Sequence, residues 1–590
     1  MTGRRRRALA AFGAVAVLGS VAFAAPTATA KPDKYTDIQL LAFNDFHGNL
    51  EPPTGSSANT QIGIGPDGKP VTVLSGGVEY LATHLKQARQ GHQNTVTVAA
   101  GDLIGASPLL SAAFHDEPTV EAMEALGLDV TSVGNHEFDE GIDELRRIQR
   151  GGCHQKDGCA DPASPYDGAD YPLLGANVVD KRTGLPALPP VWVKNFADGA
   201  RVGFIGMTLE GTGDIVAKEG VKNLVFKDEV ATANFYAKLL KLVGVKSIVV
   251  LLHEGGLPAS NTYNYNCDSP GPGDGISGPI TDIAKNLDPQ IDLVVTGHTH
   301  QSYVCNIPDP EGKPRMVTSS SSFGRLFTEI NVTYDKRARD IVRTSVKASN
   351  KIVTRDVTKD AGETAIIAKY KTKVDPIANK KIGYITDTML GRGSKNPESP
   401  LGDLIADSQL AVTSAADKGG AVIALMNPGG VRADLSYASS PAGEGDGVVT
   451  YGEAFTVQPF NNNVTTISLT GAQIVTVLQQ QYSGPNLNSP KVLQPSAGFT
   501  YTVDQAKTGA EKIVVDSVKL NGVKLDPAAK YRVTVNIFLA DGGDGFAELA
   551  KGTDRLVGGL DIDALVDWFA AHSSPTAPAA PLPANRITFI

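Results

Sequence analysis

Short apolar runs that stop abruptly at Asp, Asn, His and Gly recur along the first half of this chain. The pattern predicts strands at Ile38–Phe43, Val96–Ala100, Val130–Val133, Leu173–Ala176, Val202–Met207, Ser247–Leu252 and Leu293–Thr296. Between several of them apolar residues return at helical spacing, over Val78–Arg89, Thr119–Leu126, Ile142–Arg150 and Val230–Leu242. Alternation of this kind requires a layered α/β domain. Arg315–Tyr334 reads as further strands that complete its sheet. The carboxyl ends of strands in such a sheet form the ligand-binding edge.

What stands at those ends is chemically coherent. The runs are followed by Asn44-Asp45-Phe46-His47-Gly48, Gly101-Asp102, Gly134-Asn135-His136-Glu137-Phe138-Asp139, His253-Glu254 and Gly297-His298-Thr299-His300. Asp, Asn and His without Cys make a mixed oxygen and nitrogen donor set suited to divalent first-row metals. A carboxylate between two such ions can bridge them, and a pair about 3.5–4 Å apart suits in-line displacement at phosphorus. His136 stands apart from that set. Asp139, three residues on, is placed to orient its imidazole, to cap the helix that begins near Gly141, or to do both. His84, His92, His115, His154 and His572 read as surface residues.

These motifs resemble the calcineurin-like metallophosphoesterases, and Gly134–Asp139 resembles more narrowly the secreted 5′-nucleotidases. The resemblance implies a layered metallophosphoesterase domain with a dinuclear metal site, then a smaller α/β (α+β) specificity domain. It implies two divalent ions (Zn, Mn, Co or similar). Asp45, His47, Asp102 and His300 would hold one, and Asp102, Asn135, His253 and His298 the other. Some relatives carry Gln in place of His300. A cationic His136 would stabilise the transition state or assist the leaving oxygen.

In the second half, Asn427–Arg432, Pro459–Asn463 and Phe538–Phe546 are glycine- or asparagine-rich loops carrying an arginine and two aromatics. By likeness to the 5′-nucleotidase C-terminal domain, Arg432 binds phosphate, Phe460 and Phe538 clamp the base, and Asp544 accepts from ribose. Asn427 or Asn461 adds polar contacts, and Arg392 is the nearest candidate for a further phosphate ligand. The implied reaction removes phosphate from nucleoside 5′-monophosphates, with nucleotide di- and triphosphates or UDP-sugars as further substrates. A 2′,3′-cyclic nucleotide 2′-phosphodiesterase/3′-nucleotidase shares the metal pattern. A surface-interaction protein with a dead site would have lost ligands, and here the implied set is complete.

Composition sets the remaining bounds. At 590 residues the chain exceeds a single core. We divide it into a signal peptide at 1–30, a metallophosphoesterase domain at 31–334, a Lys- and Asp-rich connector with a helix at 335–381, and a substrate domain at 382–590. Arg4–Arg7, the apolar Ala8–Ala24 and Ala28-Thr29-Ala30 fit an export signal, leaving Sec or twin-arginine export open. No later segment is long enough to span a bilayer, so a secreted or extracytoplasmic protein is expected. The net charge of −9 disfavours general binding to nucleic acid polymers. Four cysteines allow three pairings, of which Cys153–Cys159 with Cys267–Cys305 is the simplest.

Overall fold

The computed structural model describes residues 34–216, 218–391 and 397–590. The expected signal at Met1–Ala30, and Arg392, lie outside the described residues. Strands β1 to β4 (Tyr35–Phe43, Thr95–Ala100, Val130–Ser132, Leu173–Leu174) begin one sheet. Strands β5 to β10 (Val191–Asn195, Arg201–Thr208, Ile248–His253, Ile291–Thr296, Ser302–Asn306, Met316–Ser320) make a second. Strands β11 to β13 (Leu326–Asp335, Asp340–Ile341, Lys347–Ile352) return to the first. The first sheet runs β12-β11-β1-β2-β3-β4, with β13 also on β11, and the second runs β9-β10-β8-β7-β6-β5. β1 to β4 are mutually parallel, as are β10, β8, β7 and β6. Parallel neighbours require crossovers, and helices Val78–Ala88, Glu117–Leu126, Glu229–Leu242 and Pro279–Asn286 lie in them.

Side-chain alternation explains why the sheets stack. Ile38, Leu40 and Ala42 of β1 share a dry core with Val249 and Leu251 of β7 and Leu293 and Val295 of β8. The intervening Leu41 and Phe43 face Leu81, Leu85, Val120 and Met123 of the outer helices. On the far side, Ile248, Val250 and Leu252 meet Ala233, Ala237, Ile280 and Ile283. A period of two buries both faces of each sheet, giving a helix–sheet–sheet–helix sandwich. Its parallel strands deliver their carboxyl ends to one rim.

The expected connector is corrected in one respect. The first sheet does not stop at Tyr334: β12 and β13 pair with β11, so its pairing runs to Ile352. β13 is half-exposed and polar, which gives an edge strand the composition of a linker. The helix that follows spans Ala361–Ala378 and buries Ile367, Tyr370 and Val374 in a core continuous with Phe43 on one side and Leu401, Phe455 and Phe569 on the other. The second region carries a five-stranded mixed sheet, β14 to β18 (Ile423–Met426, Asn463–Thr470, Gln494–Pro495, Lys530–Asn536, Thr553–Leu560), ordered β16-β14-β17-β15-β18. Helices Pro400–Thr413 and Gly471–Gln480 are capped by Ser399 and Thr470. A strand at Phe499–Val503 pairs with Ile587–Phe589 in a smaller sheet.

Candidate active site

The rim gathers the residues expected there. Asp45, His47 and His300 bring ligand atoms together, and Asp102, His253 and His298 do the same beside them. His47 Nε2 lies 3.1 Å from His300 Nε2 and 3.6 Å from Asp102 Oδ2. His300 Nε2 is 3.3 Å from Asp45 Oδ1, and His253 Nε2 is 2.9 Å from Asp102 Oδ2. Asn135 Oδ1 is 3.0 Å from His298 Nδ1. Asp102 therefore stands between the two groups, as a bridging carboxylate must.

The donors fit divalent cations. His253 Nε2 is buried without a hydrogen-bond partner among the described residues, although Asp102 is close. His47 Nδ1 meets the Gly105 carbonyl at 2.9 Å and His253 Nδ1 that of Ala100 at 2.7 Å, which fixes N–H on those atoms and turns each Nε2 lone pair inward. Burial holds the His47 imidazole well below the usual histidine range. Burial and the neighbouring His253 bring His298 down to about 3. In the polypeptide alone, burial opposes a proton on His253, but Asp102 outweighs it and raises that group to about 10. A bound cation would take the place of that proton beside Asp102, leaving the buried carboxylates and neutral imidazoles that such ions require.

Residues with no expected role position these ligands. Glu137 accepts from the backbone N–H of Asp102, Leu103 and Gly134. Burial, with Asp102 nearby, raises its carboxyl to about 7. Asn44 donates to Asp45 Oδ2 at 2.6 Å and accepts from Ser320. Gly134 must be glycine, because a Cβ there would collide with Asp102 Oδ1. The motifs contained these residues, but neighbouring positions alone do not show which backbone groups they hold.

Asp139 resolves in favour of His136. Its Oδ2 lies 2.8 Å from His136 Nδ1, while the N-cap of helix Ile142–Arg150 is Gly141 with no side-chain cap bond. Burial opposes a proton on His136, but Asp139 and Asp102 raise its affinity. Its ring lies 5.1 Å from that of His47 and stacks on Phe460 at 5.8 Å.

From His136 a cavity of about 790 Å³ extends into the second region. It is lined by Asn135, His136, Asp139 and His298 at one end and by Asn427, Arg432, Phe460, Phe538 and Asp544 toward the other. The Arg432 guanidinium carbon sits 5.8 Å from the Phe460 ring, and Phe538 lies against Gly543, where a Cβ would meet its ring at 2.5 Å. Asp544, at φ +56°, accepts from Asn427 at 2.7 Å and Lys491 at 2.6 Å. Asn461 is exposed and its neighbour Asn462 lines the cavity. Lys491, another lining residue, had no local signal: it sits in a Pro- and Asn-rich loop.

A sheet sandwich with Asp, His and Asn converging on one rim defines a metallophosphoesterase domain. Residues 38–302 match the calcineurin-like phosphoesterase model, and residues 381–551 match the 5′-nucleotidase C-terminal domain. The chain belongs to the 5′-nucleotidase family of metal-binding phosphoester hydrolases. It is 35% identical over 565 residues to Cell wall protein Lmo0130 of Listeria monocytogenes, covering 92% of this chain and 67% of that one. It is 34% identical over 555 residues to Endonuclease YhcR of Bacillus subtilis, covering 92% of this chain but only 40% of that protein's length. The crystal structure of a 5′-nucleotidase precursor from Thermus thermophilus shares the fold, with a TM-score of 0.73, 24% identity, and 94% and 99% of the two chains covered.

Proposed function

We propose that this protein is an exported hydrolase of nucleoside 5′-monophosphates, with nucleotide di- and triphosphates or UDP-sugars as further substrates. The observation that carries the reading is the single cavity joining His136 and His298 to Arg432, Phe460, Phe538 and Asp544. Two divalent ions (Zn, Mn, Co or similar) are assigned, one to Asp45, His47, Asp102 and His300, the other to Asp102, Asn135, His253 and His298. When bound they supply Lewis-acid polarisation of the phosphoryl group and a nucleophile at neutral pH.

The chain's own residues do the rest. Arg432 holds the phosphate through its planar fork. His136, whose affinity for a proton Asp139 and Asp102 raise, faces the reacting phosphate, stabilises its developing charge and supplies a proton to the leaving oxygen. Phe460 and Phe538 stack on the base, while Asp544 and Asn427 take the ribose hydroxyls. The half-buried cavity restricts water around the bound nucleotide. Export is supported by the disulfides Cys153–Cys159 and Cys267–Cys305.

A second reading, cleavage of polynucleotides, draws on the name of the Bacillus relative. The negative charge of this chain weighs against it. Product analysis with AMP, 3′-AMP, 2′,3′-cyclic AMP and single-stranded DNA tests the assignment. Phosphate and adenosine from AMP, at a kcat/KM well above the other three, are expected; preference for 3′-AMP, the cyclic ester or DNA would overturn it.

A further inference from the structure

His115 and His154, which read as surface residues, form a second cluster. His115, Glu140, Glu144 and His154 bring one ligand atom each within 4.8 Å of the others. We propose that this cluster is a further metal site, for a borderline divalent ion of the zinc class, separate from the centre at Asp102. The inference does not depend on which phosphoester the enzyme hydrolyses.

The donor chemistry comes first. Two imidazoles and two carboxylates are a zinc-type set. His115 Nδ1 faces Glu140 Oε2 at 2.9 Å, and His154 Nε2 faces Glu140 Oε2 at 3.7 Å and Glu144 Oε2 at 3.9 Å. The last two are too long for hydrogen bonds. They are near the ~3.4 Å edge of a tetrahedron built on bonds of about 2.1 Å.

The second observation is how the rings are oriented. His115 Nε2 lies 3.0 Å from Asp157 Oδ2, whereas His154 Nδ1, 3.3 Å from the same oxygen, accepts from the Asp157 backbone N–H at 3.2 Å. For His115 this is the usual arrangement around metal-bound histidine, an outer carboxylate fixing the ring while the opposite nitrogen faces the ion. His154 also lies in the loop closed by Cys153–Cys159, pinned by reciprocal backbone bonds with Gly158 at 3.0 Å. Glu144 shares its charge with Arg147, 2.7 Å away, while Glu140 and Asp157 face the two imidazoles. The rings stack at 3.6 Å and 23°, so capture of an ion requires the His154 ring, held there by a backbone donor, to turn about its Cβ–Cγ bond until the two nitrogens converge.

Such an ion would tie together two loops that support the reaction centre. His115 precedes Asp116, which accepts from Gly105 N at 3.1 Å, and the Gly105 carbonyl meets His47 Nδ1 at 2.9 Å. Glu140 follows Asp139, the partner of His136.

The test is metal counting on the full chain, stripped with chelator, reloaded with Zn²⁺ alone and desalted. His115→Ala/His154→Ala should retain about one equivalent fewer than wild type, and Zn²⁺ should raise the melting temperature of wild type more than that of the variant. Asp102→Asn should keep this outer equivalent, so failure of the dinuclear assignment would show separately. Glu140→Gln, a gentler change, should lose the same equivalent while melting like wild type in the stripped form. Equal zinc content in wild type, the double variant and Glu140→Gln would overturn the site.

Discussion

Left-handed backbone recurs at five of the seven proposed metal ligands. Asp45, His47, Asp102, His298 and His300 all have φ between +48° and +70°, a region that costs a non-glycine residue ~1–3 kcal/mol where sequence does not favour it. Surrounding bonds hold them there: Asp45 Oδ2 accepts from Asn44 and from the backbone of His298, and Asp102 is pinned through its N–H by Glu137. Strain is retained because it aims five side chains into the two adjoining groups at the rim. His136 is not among them, and its nearest fixed bond is to Asp139. His136→Ala should therefore leave metal content unchanged and lower kcat on AMP by roughly 10²–10⁴. Loss of metal in parallel with activity, measured by atomic spectroscopy, would make it a ligand instead.

Glu363, in the first turn of helix Ala361–Ala378, is fully buried, and among the described residues neither of its carboxylate oxygens has a hydrogen-bond partner. Burial, with Asp360 nearby, pushes its carboxyl up to about 8. Its unfolded value is about 4.3. A group raised in the folded state contributes stability that is complete below its unfolded pKa and is lost as pH rises through the folded one. The melting temperature should therefore fall between pH 5 and 9, and Glu363→Gln should flatten that fall; parallel curves would contradict it. Cys267–Cys305 ties the loop before Pro279–Asn286 to β9, with a separation of 38 residues that includes His298 and His300. Replacing both by Ser should cost on the order of 3–4 kcal/mol of stability in denaturant melts, and an unchanged midpoint would show that the bond adds nothing. At this scale the alternation of strands and helices was legible because buried parallel strands are short apolar runs. β13 was not, because an exposed edge strand reads as a linker, and the pairing of His115 with His154 was not, because they lie far apart in sequence. Glu137 and Lys491 escaped for a related reason: their partners are backbone atoms and a carboxylate brought near only by folding.

Across the molecule, the proposed division of labour places bond cleavage on the first sandwich and recognition on the second region, with one core running through the connecting helix. Phe538→Ala should lower kcat/KM for AMP by roughly 5- to 150-fold, taking about 1–3 kcal/mol per stacked base. It should barely change hydrolysis of a small phosphate ester without a base, and equal losses on both with a lower melting temperature would identify Phe538 as core instead. Everything else presupposes that Asp102 holds the centre together. Phosphate release from AMP by wild type and Asp102→Asn, each stripped and reloaded with Mn²⁺, tests that directly. Wild type should regain activity while Asp102→Asn stays near background; equal activity in the two, or full activity in stripped wild type, would contradict the account.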